Sequence, residues 1–174
     1  MEHEGRAVVF EDAADLANRI DSPELDVTAE DILVLKNIGP KGAPGMPEAG
    51  YIPIPMKLAR AGVKDIVRIS DGRMSGTAFG TIVLHVTPES AIGGPLAQVR
   101  NGDRIRLSVK NREISLLISD VELAQRMKDN PITPPTAERG YKKLFLDTVT
   151  QADQGVDFDF LRAAKMVGKT PQSK

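Results

Sequence analysis

Chemistry in this 174-residue sequence must come from a short list of side chains, because there is no cysteine and only two histidines, His3 and His85. That removes thiolate nucleophiles, thiolate zinc sites and self-supplied ligation of an iron–sulfur cluster. Oxygen ligands, hydroxyls, backbone amides and a few cations are left, and they gather in two loops. The first, GPKGAPGMPEAGYIPIP at 39–55, sets Lys41 and Glu48 among glycines and prolines whose dihedrals exclude a continuous helix or strand. A carboxylate on a stiff loop is a ligand type for a hard cation such as Mg²⁺, which takes one or two protein carboxylates. On spacing alone the plainer reading is favoured: Glu48 caps a turn or pairs with Lys41 at the surface.

The second loop, SDGRMSGTAFG at 70–80, follows a buried-strand pattern, the position where α/β folds place ligand sites. Glycines on either side of Ser75 let backbone amides approach a small anion. Ser75 and Thr77 add hydroxyls, and Arg73 offers a fork suited to a carboxylate. A tight Asp-Gly turn with solvated hydroxyls is an equal alternative. Neither a Walker A pattern nor a GxSxG elbow is present. His85, inside TIVLHVT, reads as a hydrogen-bonded core residue, and Met46, Met56 and Met74 as packing fillers. Lys142 and Lys143 read as a solvated helix face.

The elements that must position these loops follow from hydrophobic periodicity. Strands are expected at 6–10 (RAVVF), 31–36 (DILVLK), 65–69 (DIVRI) and 81–87 (TIVLHVT), the last three as buried runs. Helical spacing covers 11–20, a short helix at 54–61 ends at Gly62, and a hairpin joins 104–109 to 113–119 across Asn111-Arg112. Ser119 and Glu122 open a helix to about Lys128 with a capping-box pattern. After Pro131, Pro134 and Pro135, an amphipathic helix is expected over 136–152, then a docking tail of Phe158, Phe160 and Leu161. Strands mixed with helices, one hairpin among them, predict a mixed α/β domain.

Composition narrows the partners. Twenty-three Lys and Arg against 24 Asp and Glu leave a formal charge of −1, so there is no positive field for a phosphate backbone and a nucleic-acid binder is not expected. No apolar run is long enough to span a bilayer. The N-terminal MEHEGRAVVF has neither signal nor transit character, which predicts a cytoplasmic protein.

The two loop motifs, with LHVTPESAIGGPLAQVRNGDRIRL at 84–107 and RGYKKLF and QADQGVDFDFL within 139–161, resemble the dihydroxy-acid and sugar-acid dehydratase family. The resemblance runs in order over nearly the whole chain and covers only that family's C-terminal domain. SGTAFGT, HVTPE and YIPIPMKLARAGVKD look closer to the aldonate (pentonate, arabinonate- or xylonate-type) branch than to the branched-chain amino-acid branch. Gly72 departs from the alanine expected in many sugar-acid members.

This resemblance implies a small β-barrel flanked by helices, similar to the swivelling domain of aconitase-like enzymes, over 1–165, with a frayed tail at 166–174. It implies closure over an N-terminal domain, outside this sequence, that carries the iron–sulfur cluster and most Mg²⁺ ligands. Glu48 would be the Mg²⁺ ligand from this domain, Ser75 the base acting as an alkoxide, and Thr77 a neighbour that places substrate. Arg73 joins Ser75 and Thr77 as the expected substrate-binding set. The implied reaction is a hydro-lyase step converting an aldonate to a 2-keto-3-deoxy acid, in a complete enzyme that is a homo-oligomer. The isolated chain is expected to be inactive. A dihydroxy-acid dehydratase of the branched-chain pathway is one alternative. The other is a non-catalytic sugar-acid-binding or assembly module whose interface includes Met46, Tyr51 and Met74.

Overall fold

The computed structural model describes residues 1–162; the tail expected at 166–174 lies outside the described residues. One six-stranded sheet organises the chain, in the order β4-β3-β2-β1-β5-β6. The strands are β1 (Glu2–Phe10), β2 (Ile32–Leu35), β3 (Val67–Ser70), β4 (Ile82–Val83), β5 (Arg104–Ser108) and β6 (Glu113–Leu116). β1 is longer than its apolar run because its two halves have different partners. Its polar half pairs antiparallel with β5, from Glu2 opposite Ser108 to Arg6 opposite Arg104. Its apolar half pairs parallel with β2, from Ala7 opposite Ile32 to Phe10 opposite Leu35.

The parallel part, β1 to β4, is covered on both faces, which is why its central strands read as unbroken apolar runs. Alternate residues divide between two cores. Val8, Phe10, Leu33 and Leu35 face a layer containing Leu16 of α1 (Ala13–Arg19), with Ile38, Ile52 and, less buried, Leu58 of α2 (Met56–Arg60). Ala7, Val9, Ile32, Val34, Val67 and Ile69 face Leu96, Val99, Ile105 and Leu107. All four β2 side chains are 0% exposed, and at about 1.5–3 kcal/mol for each buried aliphatic side chain this strand is the best-anchored platform for a loop.

Val83 of β4 and Leu116 of β6, from opposite ends of the strand order, pack against the same second core, so the sheet curls. The curl stops short of closure. The expected barrel is a half-barrel, with no ladder between β4 and β6 among the described residues.

Other boundaries move for local reasons. The strand expected at 81–87 keeps only Ile82–Val83, and the following backbone turns through a positive φ of 56° at His85. Ser119 caps α3 (Asp120–Asp129) by accepting the Glu122 N–H at 3.1 Å, while the Glu122 carboxylate pairs with Arg126 instead of completing the capping box. The helix expected over 136–152 shortens to α4 (Gly140–Thr148), since Arg139 is extended at its start and Val149 bridges to Phe158 at its end. Of the docking tail only Phe158 docks, edge-on to Phe145 at 5.7 Å; Phe160 and Leu161 stay 57% and 60% exposed. No helix among the described residues is long and apolar enough to cross a membrane.

Candidate functional site

β2 and β3 are parallel neighbours with Leu35 opposite Ser70, so the loops that leave their C-terminal ends start side by side. β4 runs the same way and delivers His85 to the same edge. Three contacts then join the loops. The Gly50 N–H donates to the Arg73 carbonyl at 2.6 Å, the Arg73 Nε donates to the Met46 carbonyl at 2.6 Å, and the Arg73 guanidinium lies 3.5 Å from Glu48. Glu48 therefore pairs across loops with Arg73, not with Lys41 within its own. Both side chains are nearly half exposed, and an ion pair this wet is worth at most about 1 kcal/mol, so the Glu48 carboxylate is held in place but easily released.

Two residues beyond Arg73, Ser75 Oγ lies 2.9 Å from the Thr77 hydroxyl and accepts the Thr77 N–H at 3.3 Å. Glu48, Arg73, Ser75 and Thr77 are thus gathered on one edge. His85 is not a core residue: it is exposed, and its N–H donates to the Gly72 carbonyl at 3.1 Å. Among the methionines, Met46 is buried and Met74 half-buried, whereas Met56 is 47% exposed and fills no gap. Lys142 and Lys143 lie on a solvated face as expected, Lys143 paired with Asp147.

The scaffold behind the loops uses buried charges that pattern reading did not single out. Arg68, 2% exposed, donates to the Ile52 carbonyl of the first loop at 2.9 Å and to Asp65 at 2.9 Å, and lies over the Tyr51 ring. Gly80, at φ +125°, closes the second loop against it; a Cβ there would stand 1.9 Å from the Arg68 guanidinium. Burial works against charge on Asp65, yet bonds from Thr81 and the nearby Arg68 hold its carboxyl below its ordinary value. Asp71, fully buried, accepts the N–H groups of Ile38 at 3.0 Å and Ser90 at 2.8 Å. Glu89, 1% exposed, accepts the N–H groups of Lys41 and Gly42 at 2.9 Å, and the Gln151 amide at 2.6 Å. An arginine inside the apolar strand DIVRI is a signal for Arg68; Asp71 and Glu89 have no comparable one.

What these loops form is an open, polar wall: hydroxyls, one carboxylate and one guanidinium on the rim of a curled α/β sheet, with no group of three or more His, Cys, Asp or Glu that could hold a metal among the described residues. Residues 1–156 match the sequence profile described as dihydroxy-acid/6-phosphogluconate dehydratase C-terminal. Similar proteins include a 6-deoxy-6-sulfo-D-gluconate dehydratase of Pseudomonas putida, 51% identical over 97% of this chain and 29% of its own length. An L-arabonate dehydratase of Azospirillum brasilense is 52% identical over 92% of this chain and 29% of its own. A dihydroxy-acid dehydratase of Pyrobaculum aerophilum is 39% identical over 89% and 27%. The chain belongs to the dihydroxy-acid/6-phosphogluconate dehydratase family, a family of hydro-lyases, and corresponds to its C-terminal domain. It spans under a third of the length of these relatives.

Proposed function

We propose that residues 1–165 form the swivelling, aconitase-like C-terminal domain of a cytoplasmic, homo-oligomeric dehydratase that converts an aldonate to a 2-keto-3-deoxy acid. The observation that carries this reading is the Arg73 link, which sets Glu48 and the Ser75–Thr77 hydroxyl pair on one sheet edge. The sulfogluconate and arabonate dehydratases, at 51% and 52% identity, lie above the dihydroxy-acid dehydratase at 39% and support an aldonate. A D-xylonate dehydratase of Caulobacter vibrioides, at 32%, lies below it, so the support is for the arabonate-like relatives and not the xylonate one.

The chain's donors fit a partial metal site. Glu48 offers one half-exposed carboxylate, suited to a hard cation whose other ligands come from an N-terminal domain. With no cysteine here, cluster ligands must come from that domain too. Bound Mg²⁺ supplies charge stabilisation and a cluster supplies Lewis acidity toward the departing hydroxyl.

This chain's residues handle the proton and the substrate. Ser75 Oγ takes the proton from the carbon next to the substrate carboxylate. A free serine hydroxyl is far too weak a base for this, so its negative form needs donors; the Thr77 N–H and hydroxyl are two, already within reach of Oγ. Arg73, released from its wet pair with Glu48, binds the substrate carboxylate. The isolated chain is inactive, because most of the stabilising charge lies elsewhere.

The test is Ser75→Ala in the full-length dehydratase. Turnover should fall about 10²–10⁴-fold, as for loss of a positioned base, with substrate affinity and melting temperature nearly unchanged because Ser75 is half-exposed. A near-normal rate removes Ser75 from the role.

A further inference from the structure

Beside the paired loops, at the C-terminal ends of β1 and β2, lies a cavity of about 450 Å³ that the reading above does not use. Its walls include Glu11 just after β1, Lys36 and Asn37 just after β2, Arg100 and Asn101 before β5, and Asn130 at the end of α3. The size lies within the range of small-molecule sites, about 300–1,000 Å³.

Lys36 sets its character. The side chain is 6% exposed, and both hydrogen bonds of its ammonium go to one carboxylate, Glu11, at 3.1 and 3.3 Å. An ammonium carries three donors, and burying one without full compensation is costly. Lys36 therefore brings an uncommitted donor to the cavity wall. Glu11 is 63% exposed, so its own solvation limits how far it compensates the lysine. The Arg100 guanidinium makes no hydrogen bond or ion pair among the described residues; its charge is felt by Asp103, outside the cavity lining, whose carboxylate accepts the Arg100 N–H at 2.7 Å. Among the lining residues, two cations against one carboxylate leave a single net positive charge, suited to a monoanion.

The amides set the rest. Asn37 Nδ2 donates to the Glu11 carbonyl and Asn101 Oδ1 accepts the Val9 N–H, which leaves the amide oxygen and one amide hydrogen of the first and both amide hydrogens of the second. Asn130 brings both an acceptor and donors. Spare donors and acceptors around a cationic end match hydroxyls around a carboxylate, and no aromatic face lines the cavity for a flat apolar ligand.

We infer that the cavity bounded by Lys36, Arg100 and Asn130 is a second ligand site, for a small hydroxylated monocarboxylate. It stands on its own groups and requires no role for Glu48 or Ser75.

Titration of the isotope-labelled 174-residue chain, followed by amide NMR with gluconate as probe, tests it. Saturable shifts should appear at Lys36, Asn37, Arg100 and Asn101, with half-saturation below about 10 mM. Glucose, which lacks the carboxylate, and acetate, which lacks the hydroxyls, should each bind at least about tenfold more weakly. Lys36→Met should abolish the shifts. Arg100→Gln, at an exposed position that leaves the fold intact, should weaken them at least about tenfold, and Ser75→Ala should leave them unchanged. Shifts confined to residues 70–80, acetate binding as well as gluconate, an unaffected Arg100→Gln chain, or no saturable shift would each overturn the site. None of these outcomes bears on turnover by the full-length Ser75→Ala enzyme.

Discussion

Glu89 is where the scaffold is most exposed to a single change. Its carboxylate accepts the Lys41 N–H with both oxygens and the Gly42 N–H, each at 2.9 Å, and the Gln151 amide at 2.6 Å. The Gln151 Oε1 in turn accepts the Glu89 N–H at 3.0 Å, so the segment after α4 is tied to the same point. Glu89→Ala removes the acceptor and leaves two backbone donors and one amide behind. A stranded buried donor costs about 1–3 kcal/mol, and hydrogen bonds to a charged acceptor lie toward the upper end of what single bonds contribute. Lys41, Gly42 and Gln151 are only half-buried, so water entering the gap compensates in part, and we expect a net loss of about 3 kcal/mol. For a chain of this length that corresponds to a melting temperature lower by about 6–12 °C. Glu89→Gln keeps one acceptor but turns an amide donor toward backbone N–H groups, so its loss should be about half as large. Calorimetry measures both losses, and hydrogen exchange at the Lys41 and Gly42 amides should accelerate in Glu89→Ala while strands β1 to β3 stay protected. A melting temperature within about 2 °C of the parent would refute the assignment of Glu89 as the loop's anchor.

Gly72 makes a second test. A Cβ at this position would stand 2.4 Å from Ile38 Cδ1 and 2.7 Å from its Cγ1, so Gly72→Ala should cost about 1–3 kcal/mol by overpacking. Ile38→Val removes the nearer carbon, and the double variant should therefore be at least about 0.5 kcal/mol more stable than the two single losses predict; strict additivity in urea melts would disprove the contact. The acid limb of stability is set elsewhere. Burial is the largest single influence on Asp31 and Asp103 and disfavours their charge, but the hydrogen bonds and charges of Arg6 and Arg126, together with the Thr28 and Arg100 N–H groups, outweigh it and hold both carboxyls below their ordinary 3.8. In acid the folded chain then binds fewer protons than the unfolded one, so their contribution is complete above the ordinary value and disappears as pH falls through the folded values. Urea midpoints measured from about pH 6 to about pH 2 should fall steeply below about pH 4, and Asp103→Asn should flatten that limb. An unchanged slope in the variant would assign the acid sensitivity to other groups.

The parts legible in the sequence are those whose partners lie nearby or whose burial is two-sided. ILVL reads as a buried strand because both faces of β2 are covered, and the hairpin reads because β5 and β6 pair across a short turn. The two loops were visible from glycine and proline alone. Their junction was not. Arg73 reaches Met46 and Glu48 from 27 and 25 positions away, and Glu89 finds its backbone donors 47 and 48 positions earlier, so no local pattern records either contact. His85 failed for a related reason. Its apolar neighbours promised a strand through residue 87, but the ladder with β3 ends at Val83, and the chain leaves the sheet before the histidine is reached.

The same topology explains why chemistry here would require a second wall. The parallel strands deliver their loops to one edge, and the curled sheet offers nothing to face them: Phe79, at the end of the second loop, is 83% exposed, and Tyr51 of the first is 44% exposed. Ser75 Oγ has its donors from Thr77, and the exposed Arg73 guanidinium that links the loops is engaged by Glu48. An alkoxide in water gains little from two such donors, whereas the same donors in a closed, dry cleft act in a lower dielectric and across a fixed geometry. Covering this edge would exclude water from Ser75 and bring further ligands to Glu48 in one movement. On the proposed function, binding of the covering domain and activation of Ser75 would therefore be coupled through the surface that the loops leave open.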